Sequence, residues 1–104
     1  PQGRENDPLT YGLLDSTFSL CAAMGIPAVL LAIEVGDERL PVLKRVAKRH
    51  GVPLVVAPSK WVRPELYYHV DGHWNAAGHT HVAQMILPYV DRALAARSIS
   101  RTTQ

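Results

Sequence analysis

Two continuous apolar runs, Ala28-Val29-Leu30-Leu31-Ala32-Ile33 and Val52-Pro53-Leu54-Val55-Val56-Ala57, decide the fold of this chain. Each is bounded by Gly or Pro, and neither alternates with polar residues. Such runs suit strands buried on both faces, as in a parallel sheet covered by helices. Pro27 and Pro53 lie at the strand starts, where a missing N–H does least harm.

The segments around these runs have helical spacing. Leu9, Leu13, Leu14, Thr17, Leu20, Cys21 and Met24 recur as one apolar face, with Asp7 as N-cap, Pro8 as first residue and Gly25 as the left-handed stop. A second helix turns Leu40, Leu43, Val46 and Ala47 inward and Lys44, Arg45, Lys48 and Arg49 outward. Pro41 fits its first turn and Gly51 follows its end. A third is expected from Ala76 to Ala96, with Val82, Ala83, Ile86, Val90, Ala93 and Leu94 inward and a kink or break at Pro88. Residues 98–104 read as a flexible tail, leaving 1–97 as a single partial domain.

The order is helix, strand, helix, strand, loop, helix. Alternation of this kind implies right-handed parallel crossovers and a three-layer α/β sandwich. Two strands make a small sheet, and a parallel pair covered on both sides usually belongs to a larger one. The expected architecture is therefore the second half of a doubly wound domain. Either an N-terminal half is missing or the open edge pairs with a partner, as in a homo-oligomer.

The 104 residues are 47% hydrophobic and 19% charged, a globular composition that argues against disorder. A chain of this length buries roughly two thirds of its unfolded surface, enough for one modest core. The eleven basic residues are spread along the chain for a net charge of +2. With no basic stripe or reading motif, no nucleic-acid partner is expected. No apolar run approaches the ~18 residues of a membrane span, and the polar opening from Pro1 to Asp7 predicts no signal peptide. The absence of an initiating Met suggests a trimmed piece of something longer. Cys21 has no internal partner and reads as a small core residue.

The chemistry concentrates in Asp71-Gly72-His73-Trp74-Asn75-Ala76-Ala77-Gly78-His79, just ahead of the last helix. Ligands in open α/β sheets bind beyond the carboxyl ends of the strands, and Glu34 and the loop carrying His73 both fall on that edge. Asp71 can orient one ring nitrogen of His73 while the other takes a proton from a hydroxyl nucleophile. The competing reading makes Asp71 and Asn75 alternative caps for the last helix, with His73 merely exposed. Ser59, followed by Lys60 past the second strand, reads as a turn residue before it reads as a nucleophile. Ser16, Ser19, Ser98 and Ser100 lie in the first helix or the tail.

Histidine density raises a metal reading. His69, His73, His79 and His81 cluster around Asp71, and imidazole with carboxylate suits Zn²⁺ in a metal-dependent hydrolase. Against it, His79 and His81 stand at i, i+2 on a helix and face apart, and the expected metal set is none. Trp61, Tyr67, Tyr68 and Trp74 either wall an acyl or sugar pocket or pack the loop down.

The last 35 or so residues, through YYHVDGHWNAAGHTHVAQMILPYV, resemble the carboxyl-terminal block of the SGNH (GDSL-type) hydrolase superfamily. The commoner spacing there is DxxH, and the DxH here, followed by Trp74, is similar to relatives that include alginate-type O-acetyltransferases. The resemblance implies a flavodoxin-like fold, present only as its second half, and a Ser-His-Asp triad in which His73 is the base and Asp71 its partner. It implies an ester or acylated-carbohydrate substrate and no cofactor. The family's GDS nucleophile block does not occur in the chain. Gly3-Arg4-Glu5-Asn6-Asp7 resembles the GxND block with one extra residue, which makes Asn6 the implied oxyanion donor. The expected function is an esterase or O-acyltransferase whose serine lies outside this chain. The alternative is a non-catalytic binding or assembly module of the same fold.

Overall fold

The computed structural model describes residues 7–103. Helix α1 spans Asp7–Ala23, strand β1 Leu30–Ala32, α2 Leu40–His50, β2 Leu54–Val56 and α3 Ala76–Thr103, with a 3-10 turn at Pro64–Leu66. The elements follow in the order that the apolar pattern predicts. The two strands pair in parallel as a two-stranded sheet. Contacts divide the chain into two units, Pro1–Leu30 with Gly36–Leu54 and Leu31–Val35 with Val55–Gln104.

In the first unit α1 packs on α2. Leu43, Val46 and Ala47 are buried at helical i, i+3, i+4 spacing, while Lys44, Arg45, Lys48 and Arg49 are exposed. The last turn of α2 carries Lys48, Arg49 and His50, whose side chains complement the negative end of the helix dipole. Both helices end in a paired carbonyl cap. Ile26 N–H reaches Cys21 O at 2.8 Å and Val52 N–H reaches Ala47 O at 2.9 Å, with Gly25 and Gly51 left-handed between.

The buried face of α1 is not the expected one. Leu14 and Cys21 are covered as expected, but Leu9, Leu13, Thr17, Leu20 and Met24 are exposed, and Tyr11, Asp15 and the buried Phe18 are covered in their place. The helix is apolar on two adjacent stripes, so periodicity leaves open which of them meets α2. In the folded chain Phe18 is the buried side chain of α1, its ring 5.7 Å from the His50 imidazole on α2.

In the second unit α3 packs on the 3-10 turn. Leu66, Tyr67 and Val82 are buried, but Ala83, Val90 and Leu94, all expected inward, are exposed. Burial in α3 is deepest at Gly78 and Val82, and the described positions after them are half-buried or exposed. The helix runs unbroken through Pro88 to Thr103, beyond the end expected at Ala96 and through most of the segment read as a tail. Proline removes one backbone donor, and the flanking bonds here hold the helix across it.

Candidate functional site

The second unit builds its site on a short hairpin between the 3-10 turn and α3. Tyr67 and Trp74 form an antiparallel bridge. Tyr68 N–H donates to His73 O at 2.9 Å, and Asn75 N–H donates to Leu66 O at 2.9 Å. The Tyr67 hydroxyl donates to the carbonyl of Pro58 and so anchors the hairpin to the chain leaving β2.

Asn75 decides between the two possible caps. Its Oδ1 accepts the Gly78 N–H at 2.9 Å, the bond of an N-cap, while its Nδ2 donates to Glu65 O at 2.9 Å and Tyr67 O at 3.3 Å. One side chain therefore starts α3 and ties it to the turn. Gly78 is required by the close approach this creates. A Cβ there would overlap the Leu66 carbonyl oxygen and lie 2.9 Å from Trp74 Cβ.

Asp71 is thereby freed from capping and serves His73. Its Oδ1 accepts the His73 N–H at 3.0 Å, and its Oδ2 lies 3.4 Å from His73 Nδ1. Gly72 between them has φ +73°, a conformation glycine adopts without the penalty other residues meet. The backbone N–H of His73, with its imidazole beside it, holds the Asp71 carboxyl below its ordinary range. The 3.4 Å separation is longer than an ordinary hydrogen bond. With Nδ1 toward Asp71, Nε2 is the ring nitrogen turned to other work. His73 is 83% exposed, so the pair is local and reachable from solvent.

A cavity of about 350 Å³ adjoins this pair. Ile33 and Glu34 line it from the end of β1, Tyr67 and Trp74 from the hairpin, and His79 from α3, with Asp71 and His73 at its edge. Trp74 and His79 meet edge to face at 5.5 Å. Glu34 has φ +53° and is the one non-glycine residue with positive φ among those described. For a side chain with a Cβ that conformation costs about 1–2 kcal/mol, and such strain concentrates at ligand-binding positions.

Other residues singled out in the sequence fall elsewhere. Ser59 is a turn residue: its Oγ accepts the Val62 N–H at 3.3 Å and its carbonyl accepts the Arg63 N–H at 2.9 Å. Trp61 is exposed beneath the Lys60 ammonium, 5.1 Å from the ring centre. Tyr68, His69 and His81 do not line the cavity. Among the described residues no three His, Cys, Asp or Glu side chains gather as metal ligands. Asn6 lies outside the described residues.

Sequence reading missed a second Asp–His pair, in the first unit. Asp15 Oδ1 is 2.8 Å from His50 Nε2, and Arg49 Nη1 donates to both Asp15 oxygens at 2.9 Å. The Phe18 ring lies 5.7 Å from the imidazole. The His50 bond, with the Arg49 guanidinium beside it, holds Asp15 below the ordinary carboxylate range. The partners lie 35 positions apart, so no local spacing announces them.

Compared with known proteins, the chain matches no family model, no curated protein and no solved structure.

Proposed function

We propose that this chain is the carboxyl-terminal, SGNH-like part of an esterase or O-acyltransferase. The reading rests above all on one observation: Asp71 engages both the backbone N–H and the Nδ1 side of His73 at the mouth of a cavity. The Asp71-Gly72-His73-Trp74-Asn75 resemblance supports it, as does the use of Asn75 and Gly78 to fix the hairpin that carries the pair.

The reaction is acyl transfer through a covalent acyl-serine. His73 removes the proton from the serine hydroxyl as the oxygen attacks the ester carbonyl, and Asp71 steadies the imidazolium so formed. His73 then returns that proton to the leaving alcohol. In the second half it deprotonates water or an acceptor hydroxyl, which releases the acyl group and restores the serine. The serine comes from a segment outside this chain, because Ser59 is engaged in a turn away from the cavity.

The test is intact-mass analysis after fluorophosphonate treatment of the full polypeptide encoded by the reading frame that contains this chain, beside His73→Ala. One labelled serine outside the chain, lost in the variant, is the expected result. Labelling within the chain overturns the outside serine, and no labelling in the full polypeptide overturns acyl-serine chemistry.

A further inference from the structure

The cavity beside His73 is acidic on one side and aromatic on the other. Glu34 and Asp71 line it together with His73 and His79, and Trp74 and Ile33 supply apolar surface, Tyr67 being buried. No Lys or Arg is among the described residues that line it. The nearby cation is Lys60, whose Nζ lies 3.4 Å from where a Cβ on Gly72 would stand, at the rim rather than in the wall. The protein as a whole carries +2, so this concentration of acidic charge runs against its net balance.

Carboxylates beside aromatic rings favour an ammonium group, which gains from both the charge and the ring quadrupole. An anionic ligand meets the reverse, the repulsion of two like charges. Glu34 stands at the end of β1 with φ +53° and lines the cavity, so its acidic side chain is the one contributed from outside the Asp71–His73 loop.

We propose that the cavity takes an ammonium-bearing alcohol, presented as its acyl ester, with Glu34 selecting the positive charge and Trp74 and Ile33 forming the apolar wall. The proposal rests on the acyl-transfer reading only in taking this cavity as the substrate's. It assigns Glu34 to specificity and leaves the chemistry to His73.

The test uses choline and its uncharged carbon isostere 3,3-dimethylbutan-1-ol, titrated into the protein while the Trp74 indole N–H is followed by NMR. Choline is expected to bind with a dissociation constant about tenfold lower than the isostere. In Glu34→Gln that preference disappears while the isostere's binding is unchanged, which also shows that the cavity remains folded. Equal or weaker binding of choline, no response to choline, or a preference that survives Glu34→Gln overturns the proposal. Neither probe needs a nucleophile. A choline preference without fluorophosphonate labelling therefore removes the acyl-transfer reading alone, and labelling without the preference removes the ammonium reading alone.

Discussion

The described residues contain two Asp–His pairs, and they are built in opposite ways. Asp15 and His50 join two helices across 35 positions at 2.8 Å, with the imidazole half-buried against Phe18 and Arg49 closing the other side of the carboxylate. Asp71 and His73 are two residues apart on a hairpin, 3.4 Å between side chains, and open to solvent beside a cavity. The first has the geometry of a clamp, in which Asp15 holds His50 Nε2 and the Arg49 guanidinium at once. The second leaves Nε2 uncommitted and accessible. The shorter pair is thus the less exposed one, and the longer pair is the one that lies beside a cavity.

The widest separation between the pairs is expected in reactivity. His73→Ala should lower the fluorophosphonate labelling rate of the full polypeptide by ~10²–10⁴, the usual worth of a general base. His50→Ala should leave that rate unchanged and lower the urea midpoint instead. Equal losses in both variants would erase the distinction.

A smaller effect separates the supports of the two pairs. Gly78→Ala should destabilise the fold by about 1–3 kcal/mol, because the new Cβ meets the Leu66 carbonyl, a backbone atom that yields little. Urea denaturation measures the loss, and the Trp74 indole signal should move with it. A variant of wild-type stability would show that α3 does not sit on the turn as described.

Next come the carboxylates themselves. Asp15→Asn is expected to lower the urea midpoint at neutral pH more than Asp71→Asn does, since Asp15 joins two helices and Asp71 bonds only within its own loop. The reverse order would make the hairpin pair the structural one.

The smallest effect is in pH. Both carboxylates are held below their ordinary range in the folded protein. Each therefore adds stability that is fully present above its unfolded value of about 4 and is lost as pH falls through the lower folded value. Stability measured from pH 5 downward should fall less steeply in Asp15→Asn than in the wild type. Identical acid limbs would contradict the clamp.

Legibility in the sequence follows the same division. The runs containing Leu30–Ala32 and Leu54–Val56 and the amphipathic Leu43, Val46 and Ala47 are readable because their signal lies within one element. So is the Asp71–His73 pair, whose partners the chain places side by side. The face of α1 is not readable, because Leu9, Leu13 and Leu20 look as fit for burial as Phe18 does. The reach of α3 beyond Ala96 escapes for a related reason: the exposed Leu94 has the look of a core residue, and only contact tells otherwise.

By itself the sequence determined the element order, the position of the strands and the catalytic look of the Asp71–His73 loop, since each depends on residues within a few positions of one another. The tertiary structure alone decided that Asn75 rather than Asp71 caps α3, that Gly78 admits no Cβ, that Glu34 shares a cavity with His73, and that Asp15 meets His50. Each of these joins residues from different elements, and packing, unlike local propensity, is settled only when the elements meet.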